Sequence, residues 1–225
     1  MPSYSGVFTL QAQMQAKAAN NWPPLPPPIG SAYEGGFFAG QIGVGGVATH
    51  NLVVGPVASA EYQGIAYKNA NTATTGADSV IDGPQNTADM VADGSSTVYP
   101  AAHFCNDLTI GGYTDWYMPA KNELEICYYN LKPTTGANNT GSGTNTNAVP
   151  SRASNYTSGT PAQTSAVVFQ VTNSESFGLY FGPRYWSSTE QSATYAWRQD
   201  FNTGYQGGNA KDTSYNLRAI RRVAV

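Results

Sequence analysis

The last third of the chain, with one segment before it, restricts the fold more than any other stretch. Ile110-Gly-Gly-Tyr-Thr-Asp-Trp-Tyr-Met-Pro119, Tyr185-Trp-Ser-Ser188, Ala196-Trp-Arg-Gln-Asp-Phe201 and Leu217-Arg-Ala-Ile-Arg-Arg-Val223 are short aromatic or branched runs set among Gly, Asn, Ser and Thr. Runs of this length and makeup predict β-strands, and Tyr113–Met118 is read as one of them. Two helices are predicted beside them. Over Thr97–Leu108, Ala101, Phe104, Cys105 and Leu108 fall on one face. Over Ala120–Leu131, just after Pro119, Leu124, Cys127, Tyr128 and Leu131 recur at helical spacing, and Lys132-Pro133 ends the run.

The order and spacing of these segments resemble the Lcl/DUF1566 branch of the C-type-lectin-like fold over roughly residues 95–223. In that family a GYSDWRLPxKxEL segment opens a helix, and YWSST, AW and VRAVR mark three late strands. Here the first reads Gly112-Tyr-Thr-Asp-Trp-Tyr-Met-Pro-Ala-Lys-Asn-Glu-Leu124. The resemblance implies an α+β, C-type-lectin-like domain over residues 95–225. Its two helices would pack on one twisted antiparallel sheet that includes Ala196–Phe201 and Leu217–Val223. Thr134 to about Ser165, rich in Gly, Asn, Ser and Thr, would be its long loop region, and Trp186 a core residue. A fold of this kind displays sites and does not by itself fix a function.

Upstream, residues 29–94 read as a β-rich junction. Ala32–Ile42, Leu52–Val54 and Ala60–Tyr67 are strand-like, and Gly35-Gly36 and Gly45-Gly46 are candidate hairpin turns. Asn69–Ser95 reads as a polar loop, with a short element at Ala88–Val91. Residues 1–28 form a separate unit: a helix over Thr9–Asn20 with an apolar stripe of Leu10, Met14 and Ala18, then a Pro23–Pro28 run expected to be a stiff spacer. A helix that short needs a partner for its stripe, which makes residues 1–28 either an anchor arm or a terminal helix packed on its own domain. The Ser5–Gln13 stretch followed by Trp22-Pro23 also resembles the N-termini of tail and other structural proteins of marine phages.

Composition limits the function. Only 11% of residues are charged and the net charge is −3, which excludes the basic field that nucleic-acid binding needs. No apolar run approaches the ~20 residues of a membrane span, and Met1-Pro-Ser-Tyr4 carries no secretory signal pattern. The 15 tyrosines, set among Ser, Gly and Asn, match the chemistry of an adaptable binding surface and equally that of a loop-rich β protein. Cys105 and Cys127 are either reduced core residues or a mutual disulfide. His50 and His103 are isolated, so no metal is expected.

Catalytic patterns are missing. Ser187-Ser188 lacks a nucleophile elbow. Asp115, Glu123, Glu125, Glu190 and Asp200 are the carboxylates that could form a glycosidase pair, but Glu123 suits the start of a helix and Asp115 belongs to the family turn. The Ca²⁺ ligands of sugar-binding C-type lectins are absent; Asn147-Ala-Val-Pro150 lacks the carboxylate that a hard cation wants. Neither catalytic residues nor cofactors are therefore expected.

Between Ser188 and Asn216, polar and aromatic residues alternate with apolar anchors. This stretch resembles the variable face of phage tropism determinants of the same fold. Tyr195, Arg198, Gln199, Asn202, Tyr205 and Gln206 are the expected exposed, ligand-binding residues. The whole reads as a phage virion protein of tail-fibre type, non-catalytic and homotrimeric. It would attach to other virion proteins through residues 1–28 and recognise a host-surface glycan or protein. The alternative is a capsid or tail decoration protein that clamps neighbouring virion subunits, with the same face buried.

Overall fold

The computed structural model describes residues 25–178 and 182–225. The expected anchor helix and Pro23-Pro24 of the proline run lie outside them; Leu25–Pro28 has no regular secondary structure.

Two sheets share the described residues. The first is antiparallel and runs β1 (Ala32–Tyr33), β2 (Gly36–Val44), β3 (Val47–Val54), β10 (Ile220–Ala224), with β5 (Ala148–Val149) also on β2. The second runs β4 (Glu61–Ala66), β9 (Ser214–Arg218), β6 (Arg184–Glu190), β7 (Tyr195–Asp200), β8 (Gln206–Ala210). It is antiparallel except at β6 and β9, which meet in parallel through Tyr185 and Asn216. Among the described residues, four α-helices accompany the sheets: α1 (Val57–Ala60), α2 (Gly83–Asp93), α3 (Pro100–Asn106) and α4 (Lys121–Leu131).

The expected single sheet is thus two sheets, and Leu217–Val223 belongs to both. Leu217 and Arg218 end β9, Ile220 starts β10, and Ala219 is the crossing point, its N–H donating to Ala60 O (2.9 Å) while Gly55 N–H donates to Ala219 O (3.0 Å). Tyr185–Ser188 therefore shares a sheet with Leu217 and not with Val223. The β-rich stretch of 29–94 is built into both sheets: β3 pairs with β10 along Ile220–Ala224, and β4 pairs with β9. Gly45-Gly46 turns the β2–β3 hairpin as expected, whereas the turn before β2 is Glu34-Gly35.

The helix at 120–131 forms where its periodicity puts it. Ala120 has no side-chain acceptor, so only half of a capping box exists: Glu123 Oε2 accepts the Ala120 N–H at 2.8 Å. The apolar stripe is buried, and so are Glu123, Glu125 and Ile126 on other sides, because α4 packs between β2 and the β6–β7 pair. The helix expected over Thr97–Leu108 is only Pro100–Asn106, since Pro100 takes the first turn and Ser95 O holds the Val98 and Tyr99 N–H groups in a turn before it. Tyr113–Met118 is not a strand; it touches the first sheet through one bridge, Tyr117 to Ile220. In the polar stretch before it, the short element expected at Ala88–Val91 is part of a longer helix, α2, capped by Asp82 Oδ1 on Gln85 N–H (3.4 Å) with Pro84 in its first turn.

Two apolar clusters result. One gathers Tyr128, Leu124, Phe169, Phe177, Tyr185, Phe201 and Ile220 between the sheets, with Phe177 stacked on Phe201 at 3.9 Å. The other joins Trp116, Met118, Tyr67, Tyr99, Trp186 and Leu217 under α2 and α3, and Trp186 Nε1–H donates to Ile65 O at 3.0 Å, as the core reading of Trp186 expects. Cys105 and Cys127 are buried free thiols in different clusters, which removes the disulfide alternative, and burial pushes both thiols above their usual range.

Candidate ligand-binding face

The motif carboxylates and the C-terminal arginines meet one another. Arg221 forms a two-pronged pair with Asp115 (2.7 and 3.0 Å) and lies 3.7 Å from the Tyr113 ring centre. Arg222 Nε donates to Glu123 at 2.7 Å. Arg218, 1% exposed, reaches Glu175 (2.8 Å), Glu61 (3.3 Å) and Gly55 O (2.7 Å). The remaining glycosidase candidates are also engaged. Glu125 pairs with Arg152 and accepts from Asn145 (2.6 Å) and Tyr156 (2.7 Å), Glu190 pairs with buried Lys211 at 2.6 Å, and Asp200 Oδ1 caps its own turn through the Asn202 and Thr203 N–H groups. Burial raises the Glu123 and Glu125 carboxyls above 4.5, opposed by Arg222 and Arg152 respectively. Among the described residues, no three His, Cys, Asp or Glu side chains are grouped so as to hold a metal ion.

The long loop is ordered by buried polar groups. Lys132, 1% exposed, donates to Gly136 O (2.5 Å), Asn138 Oδ1 (2.7 Å) and Pro161 O (3.2 Å). Tyr128 OH donates to the same Asn138 oxygen at 2.6 Å. Burial lowers the Lys132 pKa. An ammonium with neutral oxygen partners therefore draws both ends of the loop together.

The six late residues do not form one face. Tyr195 is exposed at the start of β7 and pairs with Ala210. Alternation puts it on the side of Trp197 and Gln199, away from Arg198. Gln199 corrects the expectation of exposure: it is 1% exposed, and its Nε2 donates to Gly204 O (2.7 Å) inside the hairpin. Gly204 must be glycine, because it has φ +74° and a Cβ there would lie 2.4 Å from the Tyr128 ring. Asn202 and Gln206 sit beside the long loop: Thr134 Oγ1 donates to Asn202 O (3.3 Å), and Gln206 N–H donates to Ser142 Oγ (3.0 Å).

Arg198 and Tyr205 do come together. Tyr205 is 43% exposed, folds over Gly207, and lies 5.2 Å from the Arg198 guanidinium. Two residues that sequence reasoning left out complete the cluster. Tyr215 lies 5.8 Å from Arg198 on the other side, and Arg184 lies 5.6 Å from the Tyr215 ring, with Nη1 donating to its hydroxyl at 3.4 Å. Neither arginine has a carboxylate partner among the described residues, and Arg198 Nε and Nη1 are shielded without hydrogen-bond partners there. Arg184 lies in the quoted late segment's flank, but only the β6–β9 pairing brings it to Tyr215.

The family described as the Lcl C-terminal domain matches residues 70–221 of this chain. No curated protein matches. Among solved structures, a fimbrial protein from Bacteroides ovatus ATCC 8483 is similar at 16% identity and a TM-score of 0.42; the similarity covers 76% of this chain and 35% of that one, so the chain spans about a third of that protein's length.

Proposed function

Because the chain belongs to the Lcl C-terminal domain family, we propose that it is a non-catalytic adhesion module, with a C-type-lectin-like fold, on a phage virion. The late hairpin recognises a host-surface glycan or protein, and residues 1–28 attach the module to other virion proteins. The carrying observation is the Arg198–Tyr205–Tyr215–Arg184 cluster at the β7–β8 end of the second sheet. Arginine and tyrosine dominate binding hot spots, and these arginines rest on rings instead of carboxylates. The engagement of Asp115, Glu123, Glu125, Glu190 and Asp200 in internal bonds supports the non-catalytic part. The long loop inserted between α4 and β6 supports the lectin-like part. A homotrimer would multiply weak contacts by raising effective concentration.

The test is adsorption of particles to host cells. Replacing Tyr195, Arg198 and Tyr205 together by Ala is expected to abolish adsorption while particles still assemble, and wild-type adsorption is expected to persist in EDTA. Normal adsorption by the triple variant, or failure to assemble, favours a decoration protein. Loss of wild-type adsorption in EDTA means that binding runs through a metal ion.

A further inference from the structure

At the opposite edge of the second sheet, β4 and α3 enclose a groove of about 550 Å³, within the size range of small-molecule sites. None of the late-hairpin residues lines it. One wall is aromatic. Tyr62 is 47% exposed and packs edge-to-face on Phe104 at 5.3 Å. The pairing of β4 with β9 is irregular between Tyr62 and Ile65, where Gly64 takes φ +78°. A Cβ on Gly64 would meet nothing within 4 Å, so the backbone conformation, and not space, requires glycine. This bulge separates an outward Tyr62 from a buried Ile65.

Two carboxylates line the same groove from distant parts of the chain. Asp107 is the C-cap of α3, and Asp212 lies in the β8–β9 turn. Both are exposed, and neither forms an ion pair among the described residues. An acid at a helix C-terminus opposes the helix dipole, and the side-chain hydrogen bond that Asp107 accepts is a local one, from Asn106 Nδ2 at 3.0 Å. Among the described residues, no lysine or arginine lines the groove. Its one basic side chain, His103, is hydrogen-bonded to Gly94 O at 2.7 Å. Exposed π surface with two unpaired carboxylates and no competing cation is complementary to an ammonium group on a compact body with C–H faces. Ser96, Ser214 and Asn69 add hydroxyl and amide partners along the rim.

We propose that this groove is a second binding site, for a glycan residue carrying a free amine. An amino sugar supplies both requirements, its ring face stacking on Tyr62 and its ammonium meeting Asp107 and Asp212. The site stands independently of the late hairpin.

The test is calorimetric titration of the full chain with a glucosamine trisaccharide. The expected result is saturable binding that weakens with salt, that falls about tenfold with Asp107→Asn and again with Asp212→Asn, and that is lost with Tyr62→Ala. All three positions are on the surface, and unchanged melting curves show that the variants fold. The Tyr195/Arg198/Tyr205 triple variant is expected to bind the trisaccharide normally, which separates this site from the adhesion reading. Absence of binding overturns the proposal. So does equal binding of the N-acetylated trisaccharide, which has no charge, or equal binding of a lysine tripeptide, which has no sugar ring.

Discussion

Arg218 and Arg198 lie in the same sheet and are used in opposite ways. At the β9–β10 crossover, Arg218 is buried, and Glu61, Glu175 and the Gly55 carbonyl take its donors; Arg221 and Arg222 repeat the pattern with Asp115 and Glu123. In the β7–β8 hairpin, Arg198 has tyrosine rings beside it and two donor atoms without partners among the described residues. Within one residue type, the carboxylate-paired positions fasten segments far apart in sequence, whereas Arg198 keeps donor atoms without partners among the described residues. The residues that make the chain look like its family are thus the fastening set. The residues that could give it a ligand lie between them.

The sharpest way to break this contrast is Arg218→Met. Removing one member of a buried ionic group leaves the others uncompensated, at a cost of roughly 3–5 kcal/mol. Here Glu61 and Glu175 would both lose their arginine, and the Ala219 crossing its anchor. Urea denaturation is expected to show a loss of that size. Adding Glu61→Gln and Glu175→Gln should recover much of it, because the stranded charges go. A loss below about 1 kcal/mol would mean that the crossover is held by strand pairing alone.

Lys132→Met comes next. Three oxygens lose a charged donor, and buried acceptors left unsatisfied cost about 1–3 kcal/mol each at most; Asn138 Oδ1 keeps the Tyr128 hydroxyl. The expected effect is a loss of about 2 kcal/mol, together with new proteolytic cleavage between Thr134 and Ser165. Unchanged protease resistance would show that the loop is held by Glu125 and its partners instead.

A smaller effect concerns pH. Burial raises the Glu125 carboxyl above 4.5 in the folded state. The folded protein then binds a proton more readily than the unfolded chain. The resulting stabilisation is complete below about 4.5 and fades as pH rises through the folded value. As pH falls from neutral towards that window, stability is therefore expected to change more favourably in the wild type than in Glu125→Gln, which cannot titrate. The difference between the two proteins in denaturation midpoints at several pH values is the measurement; an opposite slope would mean that Arg152 outweighs burial.

How much of this was legible depends on how local the cause is. The α4 helix was readable to within a residue, because Leu124, Cys127, Tyr128 and Leu131 carry its period themselves. Of helix α2 only a short element at Ala88–Val91 was read, because Gly83-Pro84 looks like a break, although Asp82 before Pro84 is a start signal. The split of Leu217–Val223 was invisible, since Ala219 crosses between sheets by bonding to Ala60 and Gly55, more than a hundred and fifty residues earlier. At the candidate site, the family resemblance pointed to the β7–β8 hairpin as the expected binding face. It did not reveal that Gln199 is sealed by Gly204, that Tyr195 and Arg198 face opposite ways, or that Arg184 and Tyr215 join Arg198. Each of those depends on strand register or on a turn, which composition does not encode.

The smallest stability effect should come from Arg198→Ala, and it completes the contrast with Arg218. Arg198 has no carboxylate to strand. Its ring contacts at 5.2 and 5.8 Å are worth about 0.5–1 kcal/mol in a partly exposed setting, and truncation also removes two buried donors that lack partners among the described residues. These contributions oppose each other, so the denaturation midpoint should move by less than about 1 kcal/mol equivalent. Adsorption, on the proposed reading, should fall steeply in the same variant. Arg198→Lys adds a second reading: it keeps the charge but loses the planar fork, and a site that needs bidentate or stacked contacts would not be rescued by it. If Arg198→Ala costs as much stability as Arg218→Met, both arginines belong to the frame, and the hairpin has no spare donors to offer a ligand.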